Sequence, residues 1–413
     1  MAKQVVSRRD MLRAGMSALA LGPLTRQWRG VEPGAWAERC CGPWREWLLT
    51  DDLLEDIPRW LELATVPGLA LGVVEGDERW CRGFGAACKE RKSVVEEETL
   101  FEGASLGKPV CAWVALRLVG RGGLDLDRPL ARYAPLGPGG SDGRANKITA
   151  RHVLTHTTGL PNWRTLKGPL VPLSEPGSTF SYSGEGFFWL QRALEEIAAK
   201  PWEQLVTEEV FRPAGMTSST YVWHPAFANQ MAAGYDSDGK RLDVYATIGQ
   251  RLDGVAKKWN RPMAEWRAAD AEKAVAEGLP ELVPVPIYTM PNAAGSFLTT
   301  IEDYTRFLEH VLEGSNGTHG VPTQLWREMV TPKIALNSAL SWGLGWGIQR
   351  DERGDVLWHW GANGTFRNFA LVDLRDRRAV VVLTNSANGT KLYPRVIEAL
   401  TGREYPAFLY NRL

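Results

Sequence analysis

The chain has no surplus of charge of either sign: 48 Lys and Arg stand against 48 Asp and Glu in 413 residues. A balanced surface offers no basic field for phosphates, which argues against a nucleic-acid partner. Cysteine is scarce. Cys40, Cys41, Cys81, Cys88 and Cys111 form an odd set with no C-x-x-C pair, so neither a disulfide framework nor a zinc ribbon is indicated. At most, Cys81 and Cys88 could pair if their strand geometry allowed it. Histidine is also rare, with six in the chain. His152 and His156 stand four apart, but no Glu follows His152, so the H-E-x-x-H zinc helix is missing and the two read as structural residues on one helix. After the N-terminal segment no run reaches ~18 uninterrupted apolar residues, so no stable membrane insertion of the mature chain is expected.

What is present starts with an address. Residues 1–37 carry Lys3, then Ser7-Arg8-Arg9-Asp10-Met11-Leu12-Arg13, an apolar stretch from Ala14 to Leu24, and Ala35-Trp36-Ala37 as a small-x-small cleavage candidate. This order resembles a twin-arginine export signal and predicts a periplasmic or extracellular protein. The remainder, in a chain 44% hydrophobic and 23% charged, has the composition of a folded globular protein.

Periodicity predicts a helix over 51–64, strands over 68–74 and 79–87 joined at Gly76-Asp77, and a helix over 105–118 ended by Gly120, Gly122 and Gly123. The middle reads as helix and loop, with helices over 185–199, 202–211 and 263–277. The final third reads as a helix over 301–312, strand-like runs over 342–349, 356–360, 368–374 and 379–384, and a last helix over 392–400. Short turns between those strands mean an antiparallel meander. Strands at both ends with helices between predict an α+β fold: an antiparallel sheet flanked by helices, with an inserted, mostly helical domain. The implied division is a sheet domain of 38–120 and 285–413, which includes the helix after Ser105, and a helical domain of 121–284.

Ser105-Leu106-Gly107-Lys108 places a hydroxyl and an amine three apart at the start of an apolar helix, on one face. Packed among apolar neighbours, Lys108 would lose hydration, its pKa would fall, and it could act as a base toward Ser105. S-x-x-K alone is weak, since Ser237-Asp238-Gly239-Lys240 fits it in a polar turn. Gly103-Ala104-Ser105-Leu106-Gly107 also fits the G-x-S-x-G elbow of α/β-hydrolases, as does the loop Gly139-Gly140-Ser141-Asp142-Gly143. The antiparallel final third weighs against that elbow.

Company decides between them. Downstream stand Tyr182-Ser183-Gly184 ahead of a helix and His359-Trp360-Gly361 on a strand. This ordered set resembles the serine β-lactamase and penicillin-binding superfamily, in particular its class C β-lactamase, D-alanyl-D-alanine carboxypeptidase and family VIII esterase branch. Val66-Pro67-Gly68, Leu124-Asp125-Leu126-Asp127, the segment Ile148 to Leu160, Pro213-Ala214-Gly215-Met216 and Leu383-Thr384-Asn385-Ser386 support the likeness.

The resemblance implies a β-lactamase/transpeptidase-like fold and an acyl-enzyme hydrolase of a small-molecule substrate, with no cofactor and no metal. It implies Ser105 as nucleophile, Lys108 as its proton acceptor, and Tyr182 as a relay to the leaving group. His359, in place of the family's more common lysine, would be a hydrogen-bonding group able to carry charge. The backbone N–H groups of Ser105 and Ala362 would form the oxyanion hole, with Gly184, Gly361 and Asn363 along the substrate. Gly361 would lack a side chain so that substrate can lie against the strand edge. His152 and His156 fall in a segment that the resemblance makes structural.

Two departures matter. Gly184 stands where many relatives carry an Asn that contacts a substrate amide, which favours esters over β-lactams and peptides. Asn363-Gly364-Thr365-Phe366 departs from the usual Gly directly before Phe. No separate acid marks a deacylating base. The alternatives are a β-lactamase or carboxypeptidase, an α/β-hydrolase using Ser105 with a late His, and a protein that is acylated and stays so as a sensor. Nothing in the sequence indicates an oligomeric state.

Overall fold

Gly68-Leu69-Ala70-Leu71-Gly72-Val73-Val74 is apolar on both sides because helices cover both faces of the strand it forms. The structure, a computed structural model, describes residues 50–136, 143–164, 169–242, 244–282, 289–352 and 354–410. The export-type segment 1–37, Cys40, Cys41, most of the loop at Ser141 and the proposed domain junction near 285 lie outside the described residues.

Thr50 caps helix α1 (Asp51–Ala64) by accepting the Leu53 N–H. Strands β1 (Gly68–Glu75), β2 (Glu78–Cys88) and β3 (Ser93–Val94) follow, and β4 (Phe101–Ala104) leads into α2 (Gly107–Gly120). The middle holds α3 (Gly184–Ala198), α4 (Val244–Trp259) and α5 (Ala268–Gly278). The chain then returns through β5 (Phe297–Thr299), α6 (Ile301–Glu313), β6 (Ile334–Ala335), β7 (Leu340–Trp342), β8 (Gly347–Asp351), β9 (Gly354–Asn363), β10 (Phe366–Asp373), β11 (Arg378–Thr384) and α7 (Gly389–Thr401).

Nine strands form one antiparallel sheet in the order β3-β2-β1-β11-β10-β9-β8-β7-β6, so the first and last long strands meet, with Leu69 opposite Thr384. The two-residue alternation of the strands sorts the core. Leu69, Leu71, Val380 and Val382 pack under α1 and α7, while Ala70, Val74, Val381 and Leu383 pack with α2 and α6. Each fully buried Leu or Val of this kind contributes about 1.5–3 kcal/mol.

Several expectations need correction. The run over 342–349 is two strands, because Gly343 and Gly345 turn the chain between them, Gly345 at φ +86°. The helix expected over 263–277 begins only at Ala268, after a short 3-10 turn at Met263–Glu265. α4 is an addition to the expected elements; its Gly249 allows the backbone to lie against Trp223, where a Cβ would approach the ring to 2.5 Å. The middle of the chain is also tied to the sheet side, through bridges of Met231 to Leu100 and Tyr235 to Ser386. Cys81 and Cys88 are free thiols: seven residues apart on one extended strand, they cannot reach each other.

Candidate active site

β4 and β5 form a separate two-stranded ribbon whose register slips between Glu102 and Ala104. The slip ends with Ala104 at φ +53°, a left-handed backbone that a residue with a Cβ adopts only under strain. The next residue is Ser105, held in the turn that opens α2. One helical turn later Lys108 is fully buried, with its ammonium stem inside the core. Its Nζ donates to Ser105 Oγ at 2.9 Å and to the Ala294 carbonyl at 2.6 Å, and lies 4.8 Å from the centre of the Tyr182 ring. Burial pushes its pKa down to about 7, so a proton-accepting amine is present near neutrality.

Tyr182 stands just ahead of α3, and its neighbour Ser183 is the helix cap, accepting the Gly186 N–H at 3.0 Å and donating to the Pro161 carbonyl. The Tyr182 hydroxyl is enclosed and faces Ser105 without closing a hydrogen bond of ordinary geometry. Burial raises its pKa well above that of a free phenol, so it stays protonated and can donate. Ser105, Lys108 and Tyr182 therefore meet in a cavity of about 420 Å³, lined in addition by Asn162, Trp163, Ala294, Gly295, Trp360, Ala362, Asn363 and Tyr410.

β9 contributes differently from expectation. Its pairing with β8 stops at Trp358, and beyond that point Trp360, Ala362 and Asn363 line the cavity. His359 does not. It is fully buried, its Nδ1 donates to the Trp360 carbonyl at 2.7 Å, and burial together with the nearby Lys108 holds its pKa at about 3. The ring is neutral, which corrects the expectation of a group that could carry charge. Gly361 is also absent from the cavity wall. A Cβ there would meet the Gly103 carbonyl oxygen at 2.1 Å, so glycine is needed for β9 to close on β4, not for a substrate to lie against it.

Gly184 too is covered. A Cβ on it would lie 2.5 Å from the Trp163 ring, and its N–H donates to the Asn162 side-chain and main-chain oxygens at 2.9 and 3.0 Å. Thus Trp163 occupies the space into which a side chain at 184 would project. Asn363 keeps its place beside the cavity, its Nδ2 donating to the Gly295 carbonyl at 2.8 Å and bonding Glu102. Glu102 is a buried carboxyl whose pKa burial pushes up to about 8. His152 and His156 do not share a helix: the helix there is only Ala150–Leu154, and His156 lies past its end at φ +53°.

A family model described as Beta-lactamase matches residues 61–409. The chain belongs to the beta-lactamase family. Among relatives within and around this family, it is 30% identical over 177 residues to D-alanyl-D-alanine-carboxypeptidase/endopeptidase AmpH of Escherichia coli, covering 38% of this chain and 46% of that one. It is 40% identical over 103 residues to esterase EstB of Burkholderia gladioli, covering 25% and 26%. The aligned parts therefore span less than half of either relative. Among solved structures, the octameric penicillin-binding protein homologue from Pyrococcus abyssi superposes with a TM-score of 0.66 at 18% identity, over 87% of this chain and 80% of that one. A mutant class C β-lactamase gives 0.66 at 16% identity, over 85% and 96%. The β-lactamase-like fold is thus shared, and the chain is a member of the serine β-lactamase-like hydrolase superfamily.

The residues that sequence motifs missed are Asn162, Trp163 and Tyr410 on the cavity wall, and Ala294, whose carbonyl holds Lys108. Asn162 and Trp163 follow the Ile148–Leu160 segment directly, which was the available signal. Tyr410, close to the end of the sequence, had none.

Proposed function

We propose that the protein is an exported esterase that cleaves small, uncharged esters by acyl-enzyme chemistry. The carrying observation is the wall of the cavity. Trp163, Tyr182, Trp360 and Tyr410 supply aromatic surface, and among the described lining residues Lys108 alone is ionisable apart from the two tyrosines, whose pKa values burial raises so that both stay protonated. A β-lactam or a peptide C-terminus brings a carboxylate, which needs a cation that the neutral, enclosed His359 does not provide. The covered Gly184 likewise offers no side chain to a substrate amide.

The chemistry follows from the pKa values. Neutral Lys108 accepts the Ser105 proton as Oγ bonds to the ester carbonyl carbon, and the resulting oxyanion is held by the backbone N–H groups of Ser105 and Ala362. Collapse breaks the carbon–oxygen bond to the leaving alcohol, which takes a proton from Tyr182; the Lys108 ammonium returns one to Tyr182. Water then attacks the acyl-serine carbonyl carbon, the carbon–Oγ bond breaks to release the acid, and water's proton passes through the same two groups to Ser105 Oγ. EstB carries the name of an esterase, which agrees with this activity. The twin-arginine-type segment supports export.

The test is an intact-mass and turnover comparison of wild type and Ser105→Ala with p-nitrophenyl butyrate and with benzylpenicillin. The expected result is Ser105-dependent release of p-nitrophenol with the penicillin left intact. A lasting Ser105–penicillin adduct without ester turnover would replace the esterase with an acylated binder; consumption of the drug would replace it with a β-lactamase.

A further inference from the structure

We propose that His156 is a positioning residue for Tyr182, holding the hydroxyl that relays the proton to the leaving group; the role rests on the esterase mechanism above. Tyr182 belongs to a segment without strand pairing, so its ring needs an external brace. His156 supplies three. Its carbonyl oxygen accepts the Ser181 N–H at 2.7 Å, its Nδ1 accepts the Ser183 N–H at 3.0 Å, and its imidazole stacks on the Tyr182 ring at 4.2 Å with 29° between the planes. The backbone on both sides of Tyr182 and the ring itself are all held by one residue.

The geometry defines the chemical state of that residue. Because Nδ1 accepts, the neutral ring carries its proton on Nε2, which is buried without a protein partner. Phe180, Phe187 and Trp342 enclose the other sides of the ring. Burial, with Lys108 nearby, holds the pKa well below that of a free histidine, so the Nδ1 lone pair stays available. The residue also sits at φ +53°, where Gly or Asn would be less strained. A histidine that is strained, sealed and left with an unpartnered N–H is poorly explained by packing alone. His152 shows the ordinary alternative, a half-buried ring that accepts the Thr149 N–H to cap its own helix.

Two substitutions separate the braces. His156→Asn keeps an acceptor close to the Nδ1 position and tolerates the left-handed backbone but removes the stacked ring; His156→Phe keeps a ring and removes the acceptor. With ethyl butyrate, whose alkoxide leaving group needs a proton from Tyr182 as p-nitrophenolate does not, each is expected to lower kcat about tenfold with KM changed less than about threefold. In a Tyr182→Phe background each should cost less than about twofold, because the group being positioned is gone. An equal cost in both backgrounds would overturn the proposal. If Ser105→Ala abolishes turnover while Tyr182→Phe costs nothing, the hydrolase stands and the positioning role falls; activity surviving in Ser105→Ala would remove the esterase mechanism itself. Should the His156 variants not fold, ¹⁵N NMR of the native protein tests the same assignment: an unprotonated Nδ1 and a protonated Nε2 are expected, and a proton on Nδ1 would overturn it.

Discussion

The two segments that bring motif residues to the cavity treat them in opposite ways. On α2 and the turn before it, Ser105 and Lys108 are three apart, so one helical turn brings both polar groups to the same side, where they bond at 2.9 Å. On β9, His359 and Gly361 are two apart, so the pleat also puts them on one side, but it is the buried side, with Gly361 against β4 and His359 among Tyr182, Trp342 and Trp346. The residues between and after them, Trp360 and Ala362, line the cavity. The helix exposes its motif to the substrate; the strand uses its motif to pack and shows the substrate its neighbours. The result is a site with one buried base, aromatic surface around it and, among the described lining residues, no other cation.

Breaking the helix side should have the largest effect. Lys108→Met removes the amine and keeps the buried stem, and is expected to lower kcat/KM for p-nitrophenyl butyrate by roughly 10³-fold or more, as loss of a general base does. An α/β-hydrolase mechanism would leave that variant nearly as active as wild type. On the strand side the first break is structural. Gly361→Ala should lower unfolding stability in urea by about 3 kcal/mol, since its Cβ collides with the Gly103 carbonyl, a backbone atom that cannot rotate away. Unchanged stability would mean that β9 does not close on β4 as described.

A pH profile sharpens the same comparison. Lys108 must be neutral to accept the Ser105 proton, so kcat/KM should be flat above pH 7 and fall about tenfold per unit below it, with the inflection at about 7. His359 is already neutral throughout that range, so His359→Gln should keep the inflection. Its disappearance in that variant would make the histidine the titrating group. The smallest effect belongs to the wall: Gly184→Asn should cost about 1–2 kcal/mol of stability by displacing the Trp163 ring, and Trp163→Ala should relieve most of that loss.

The sheet, its antiparallel meander and the meeting of β1 with β11 were legible because long apolar runs and short turns are local signals. Ser105, Lys108 and Tyr182 were legible for a similar reason: each sits where a strand or loop enters a helix, and the motif spacing matches the helical turn. What was hidden depends on the third dimension. That His359 would be sealed and neutral follows from Tyr182, Trp342 and Trp346 closing around its ring. That Gly184 would be covered follows from Trp163, twenty-one positions earlier in the sequence. α4 was hidden by its glycines, although Tyr245, Leu252, Val255 and Ala256 already recur at helical spacing. His156 looked like the second of two helical histidines because a helix of five residues ends before reaching it.

The most direct measurement compares two alkyl esters of nearly equal length, ethyl butyrate and monoethyl succinate, which differ by a carboxylate in place of a methyl group. A cavity with Lys108 as base and no cation for the acyl end should prefer the neutral ester by a factor of about 100 in kcat/KM, the cost of an unpaired charge near an apolar wall. Equal turnover, or preference for the succinate ester, would mean that a cation faces the substrate and would contradict the neutral-ester mechanism.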